Sequence, residues 1–211
     1  MVSTDHGGEF AFWRPKDKEW NFISSKLDTW DWDSDRRSYD IAYYRGQFYI
    51  VDSDGRVLVF DIDDPEDATA NKVAVSESPT WRSRYSVNQL YLVESGGALL
   101  LVLRLEHTCQ NGFRVFEVPL SSGNWLEAEE VKNLGNRALF LSLRNSSFSI
   151  EVSGSSGCKA NCIYFARHRS SKSTRTHFEL GVFSMEDREV QPFIPNSCHV
   201  QKPYVWTQPT F

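Results

Sequence analysis

Carboxylates, thiols and cations are the side chains of this sequence that can do chemistry, and the spacing of each decides what that chemistry is. Asp52-Ser-Asp-Gly55, followed closely by Asp61, Asp63, Asp64, Glu66 and Asp67, offers the density of hard oxygen donors that a calcium loop requires. The spacing points elsewhere, because such a loop continues to a Glu at its twelfth position and here Arg56-Val-Leu-Val follows, which reads as strand. A plain hairpin turn is expected, without a metal. Cys158 and Cys162 stand at a separation that structural zinc accepts, and Cys198-His199 adds two further soft ligands. Adjacent residues of an extended chain point to opposite faces, so Cys198 and His199 do not complete a four-donor site; free thiols and no metal are expected.

Arg167-His-Arg-Ser-Ser-Lys-Ser-Thr-Arg-Thr-His177 is the one basic stretch. It lacks the interleaved aromatics on which nucleic acids stack, so it reads as a solvated loop whose Arg167 and Arg169 are candidates for an acidic protein partner. Trp30-Asp-Trp32 lies between Asp28 and Asp35, and Trp81 stands beside Arg82 and Arg84. Trp and Arg are the residue types that anchor protein interfaces. Trp30, Trp32, Trp81, Arg82 and Arg84 are therefore interface candidates, against the competing use of loop aromatics as packing over a neighbouring sheet. No Gly-x-Ser-x-Gly elbow, His-Glu-x-x-His, P-loop or dinucleotide fingerprint occurs, so no catalytic or cofactor-binding residue is assigned.

The elements that must position these groups are strands. Asp40-Ile-Ala-Tyr-Tyr-Arg-Gly-Gln-Phe-Tyr-Ile-Val-Asp-Ser-Asp-Gly-Arg-Val-Leu-Val-Phe-Asp61 is three apolar runs separated by two tight turns, with Gly46 and Gly55 supplying positive φ. Phe10 to Trp13 with Trp20 to Ile23, Phe113 to Val118 with a strand starting at Trp125, and Leu180 to Met185 with Val190 to Phe193 read as outer hairpins of a repeated unit. Phe48 to Val51, Leu99 to Leu103, Ala138 to Leu143 and Cys162 to Phe165 are nearly continuous apolar runs, which predicts strands covered on both faces. Stacked blades of a propeller meet that demand; a single open sheet does not. Blades are expected over 39–76, 87–131 and 137–193 after a first hairpin at 9–24, with loops at 26–38, 77–86 and 167–176, and at most one helical turn in 127–134. Residues 1–8 are expected to be a polar tail, and 9–211 one propeller domain.

The chain has 211 residues, 14% of them aromatic, and a net charge of −5. That length supplies about four blades at roughly 40 to 45 residues each, so the expectation is an all-β, partial or incomplete β-propeller of antiparallel sheets. An acidic chain has no global field to hold nucleic acid or anionic lipid, no apolar run of about 18 residues is present, and the first residues are polar. Neither nucleic acid nor membrane is expected as a partner, and the location is expected to be intracellular, in cytoplasm or nucleus.

Four segments together resemble plant F-box proteins with a KIB-type β-propeller domain: Phe10 to Pro15 with Trp20; Asp40 to Asp52 leading to Phe60-Asp61; Tyr91 to Val102; and Leu134 to Leu141 with Gly157 to Phe165. Gly181-Val-Phe, Pro192-Phe and Pro203 through Trp206 resemble that family's ending. The resemblance implies a propeller that holds a target protein for a ubiquitin ligase, while an N-terminal F-box recruits the ligase adaptor. No such helical segment precedes Glu9, so direct adaptor binding is not expected. The reading is a non-catalytic protein-interaction module with an unknown target protein. The alternatives are a propeller enzyme such as a glycosidase acting through paired carboxylates, or a truncated relative without independent function.

Overall fold

The computed structural model describes residues 2–3, 10–12, 17–23, 38–52, 54–60, 72–75, 85–105, 112–142, 147–154, 156–169 and 177–193. Its regular structure is fifteen strands and one 3-10 turn, with no α-helix among the described residues. Within those residues no helix is long and apolar enough to cross a membrane. Two compact units partition the chain: residues 1–85 with 118–128, and residues 86–117 with 129–211.

The first unit holds two sheets. In one, β1 (Val2–Ser3), β2 (Phe10–Phe12) and β3 (Asn21–Ile23) lie in sequence order, so pairing begins inside the segment read as a polar tail. The other is the antiparallel meander β4 (Ser38–Tyr44), β5 (Gln47–Asp52), β6 (Val57–Phe60) and β7 (Lys72–Val75). It delivers the expected three strands of 40–61 and adds a fourth. Arg45 and Gly46 both take positive φ, 48° and 85°, the conformation a two-residue hairpin needs to match strand twist. Trp125 also belongs to this unit: it is buried, and its indole N–H donates to the Gly55 carbonyl at 2.9 Å.

Two sheets also make the second unit. The antiparallel strands β8 (Val87–Ser95), β9 (Ala98–Leu105) and β10 (Phe113–Glu117) form one, with β9 central and buried along nearly all its length. The other contains β11 (Arg137–Leu141), β12 (Phe148–Glu151), β13 (Cys162–Arg169), β14 (His177–Ser184) and β15 (Val190–Pro192), in the order β12-β11-β13-β14-β15. β11 and β13 are parallel, which departs from the all-antiparallel expectation. The connection from β12 explains it: Val152 N–H bonds the Asn136 carbonyl on one side of β11, and Asn161 N–H bonds the Arg137 carbonyl on the other. The chain thus wraps the start of β11 and re-enters the sheet running the same way.

Two further expectations need correction. Arg167, His168 and Arg169 are not loop but the end of β13, in an eight-pair ladder running from Cys162↔Ser184 to Arg169↔His177. Main-chain hydrogen bonds place little demand on side-chain type, so the ladder continues past the apolar run that marked the strand in sequence. Trp125, expected to open a strand, instead starts the 3-10 turn Trp125–Glu127, capped by the Asn124 carboxamide accepting from Leu126 N–H. Pro119 cannot donate to a ladder, and pairing there reduces to the single bridge Phe116↔Glu130.

The core of the second unit gathers Tyr91, Val93, Leu100, Val102, Phe113 and Val115 with Leu139, Leu141, Ile163, Phe165 and Phe183. These are alternate residues of the two sheets, as face-to-face packing requires. Phe113 lies 4.9 Å from Phe165 and 5.4 Å from Phe183 between ring centroids, in tilted and edge-on geometries that aromatic quadrupoles favour. Gly181 makes room for this trio: a Cβ there would stand 2.5 Å from Phe165 Cζ. Alanine at Gly181 is accordingly expected to lower unfolding free energy by about 2 kcal/mol through overpacking. Alanine at Gly154, whose added Cβ meets nothing within 4 Å, should shift it by less than about 0.5 kcal/mol. Urea unfolding of both variants checks this, and equal effects would contradict the packing argument.

Candidate functional site

The acidic turn of the first unit turns out to be structural. Asp52 is 1% exposed, and its Oδ1 accepts from Asp54 N–H at 2.8 Å and Arg56 N–H at 2.9 Å. Its Oδ2 holds the Arg56 guanidinium through Nε at 2.9 Å and Nη2 at 2.8 Å. Both oxygens are committed to organising the β5–β6 hairpin. A buried carboxylate that takes two main-chain N–H groups on one oxygen and a guanidinium on the other secures a turn rather than presenting ligands.

The thiols behave likewise. Cys158 is half-buried and Cys162 buried. Burial pushes the Cys162 thiol up from its ordinary 9.0, opposed by nearby Lys159 and assisted by Asp187. A zinc thiolate must shed its proton, so this environment works against one. Cys198 and His199 lie outside the described residues.

Of the interface candidates, Trp30, Trp32, Trp81, Arg82 and Arg84 also lie outside the described residues. Arg167 and Arg169 sit on β13, paired with Glu179 and His177 of β14. An aromatic tip that sequence reasoning used only as a turn is the β4–β5 hairpin. Tyr43 is 59% exposed with its ring 5.0 Å from Phe48, and the Arg45 guanidinium lies 5.0 Å from the centroid of Tyr44.

Among the described residues a groove of about 610 Å³ lies in the second unit. Three connections converge on it: the stretch after β10 carrying Glu130, Lys132 and Asn133; Asn161 at the entry to β13; and the β14–β15 hairpin with Met185, Glu186 and Arg188. Arg114 of β10 completes the wall, its Nε 3.5 Å from Glu130 Oε1. Asn161 ties the loops together. Its side-chain oxygen accepts from Leu134 N–H at 2.9 Å, and its main-chain oxygen accepts from Met185 N–H at 3.0 Å. Arg188 anchors the hairpin: its Nη2 donates to the Phe113 carbonyl at 2.7 Å, and its guanidinium lies 5.5 Å from the Phe183 centroid. Asn161 and Arg188 hold φ of 54° and 60°, a left-handed conformation that non-glycine residues keep only where surrounding bonds impose it.

Nothing local in the sequence marks this groove. Leu134 and Asn161 are 27 residues apart, Phe113 and Arg188 75. Glu186-Asp-Arg-Glu189 reads in isolation only as a polar turn.

A family model described as KIB1-4 beta-propeller matches residues 1–184, ending with the last residue of β14. No curated protein and no solved structure matches the chain.

Burial raises the pKa values of Tyr49 and Tyr164 above their ordinary 10.0 as it does that of Cys162 above 9.0; Tyr44 adds to the effect at Tyr49, and Lys159 N–H opposes it at Tyr164. Each group keeps its proton more tightly folded than unfolded, so native protein holds more protons above the ordinary values and stability falls as pH rises. Their contribution is expected to be intact up to roughly pH 8.5 and lost progressively above it. Urea unfolding of the Cys162→Ala variant should show a shallower decline from about pH 8.5 upward. A decline identical to the unsubstituted chain would contradict the assignment.

Proposed function

The chain belongs to the KIB1-4 beta-propeller family, and from that footing we propose that it is a non-catalytic protein-interaction module whose target seats in the groove formed by Arg114, Glu130, Lys132, Asn133, Asn161, Met185, Glu186 and Arg188. The all-β fold of separate sheets agrees with a partial propeller. The makeup of the groove carries the functional reading: seven of its eight lining residues are polar or charged, both signs are present, and Met185 is the one apolar member. Small-molecule sites are mostly apolar with a few placed polar groups. A mixed-charge wall on loops held by a rigid scaffold suits the polar surface of another protein.

The finer reading extends the resemblance to F-box proteins. The propeller recognises a target destined for ubiquitin transfer, and recruitment of the ligase falls to a separate segment or subunit. Arg188 and Asn161 shape the groove, while exposed Lys132 and Glu186 supply charges that a partner can meet.

The test combines capture with charge reversal. Target protein captured by the immobilised chain should bind at least about tenfold more weakly to Lys132→Glu or Glu186→Lys, equivalent to about 1.4 kcal/mol, with an unchanged melting temperature. Undiminished binding by both variants would remove the groove from the account. Turnover of glycosides abolished by Glu130→Gln would replace the binding module with an enzyme.

A further inference from the structure

At the rim where the two sheets of the second unit meet, three polar side chains stand where the core pattern calls for apolar ones. On β8 the inward residues Tyr91 and Val93 are followed by Ser95, and on β11 the inward residues Leu139 and Leu141 are preceded by Arg137. Ser149 of β12 lies diagonally across the ladder from Arg137, on the same face. The three are joined: Ser95 Oγ and Ser149 Oγ are 2.8 Å apart, and Arg137 Nε donates to them at 3.2 Å and 2.9 Å. Ser95 is buried, while Arg137 and Ser149 are half-buried. The β8–β9 turn backs the arginine stem, since a Cβ at Gly96 would stand 3.6 Å from Arg137 Cδ.

We propose that Arg137, Ser95 and Ser149 form a binding site for a phosphate group, independent of the groove, which none of them lines. An imbalance of hydrogens carries the proposal. One hydroxyl hydrogen lies between the two serine oxygens and the Nε hydrogen is shared by them, so the other hydroxyl hydrogen and both Nη groups have no acceptor among the described residues. Neighbouring carboxylates do not supply one: Glu151, opposite Arg137 in the ladder, is exposed and makes no ion pair with it, and Glu94 Oε1 accepts from Gly97 N–H. A cluster that holds only spare donors and a positive charge calls for an anionic acceptor. Anchoring Nε fixes the guanidinium and leaves its Nη edge as the open one, with a hydroxyl beside it. That edge grips two oxygens of one group, and the hydroxyl reaches a third, which a phosphate has and a carboxylate lacks.

Nuclear magnetic resonance titration of the nitrogen-labelled full chain tests the proposal, with inorganic phosphate in one series and O-phosphoserine in another, at an ionic strength held constant with sodium chloride. The expected result is saturable shifts of the Arg137 Nε–H signal and of the Ser95 and Ser149 amides, half complete in the millimolar range. The tighter of the two probes tells whether the site takes free phosphate or a phosphate ester. Arg137→Lys keeps the charge and loses the fork, so it should weaken binding at least about tenfold at an unchanged melting temperature. Ser149→Ala leaves the arginine in place and removes one hydroxyl, and should weaken binding about threefold; it decides the matter if Arg137→Lys does not fold. Absence of saturable shifts at these three residues with both probes would overturn the proposal, as would undiminished affinity in either folded variant.

Discussion

The second unit depends on the close approach of two sheets through three phenylalanine rings, and that approach depends on two missing side chains. Gly181 leaves space for Phe165, and Gly112, at a φ of 151°, leaves space for Phe183, whose Cε2 would stand 2.8 Å from an added Cβ. Interiors are packed to crystalline density, so neither ring has another place to go without moving a strand. Phe113, between them, meets both. The junction therefore specifies which faces of β9–β10 and β13–β14 meet, and it does so more sharply than general hydrophobicity would.

The groove inherits its shape from the same junction. Arg188 reaches back to the Phe113 carbonyl and lies over Phe183, so the turn bearing Met185 and Glu186 is fastened to the aromatic core. Asn161 joins the other two loops with one side-chain and one main-chain bond. Asn161 and Arg188 hold left-handed backbone in that arrangement, and both are tied by the bonds that join the loops. A preorganised polar surface of this kind loses little entropy when a partner docks.

Much of the fold was legible in the chain. Apolar runs such as Leu99 to Leu103 and glycines such as Gly46 encode strand and turn locally, and both behave as their neighbours demand. What escaped is non-local. The parallel placement of β13 beside β11 arises from the wrap around Asn136 and Arg137, which no residue pattern announces. Trp125 looked like the opening of a strand by analogy with Trp20; its indole bond to Gly55, 70 residues away, made it an anchor instead. The groove was invisible for the same reason, since its residues meet only after three connections converge. Arg167 and Arg169, conspicuous by charge, proved to be strand residues because pairing with β14 follows backbone geometry rather than polarity.

The central claim is that groove and aromatic junction form one cooperative body. Native-state hydrogen exchange tests it directly, by comparing the groove amides of Leu134 and Met185 with the core amides of Val115 and Phe165. The account predicts opening free energies for the four that agree within about 1 kcal/mol, since the groove cannot loosen without the junction. Exchange of Leu134 and Met185 through local openings several kcal/mol below the core, on the order of a thousandfold faster, would contradict it.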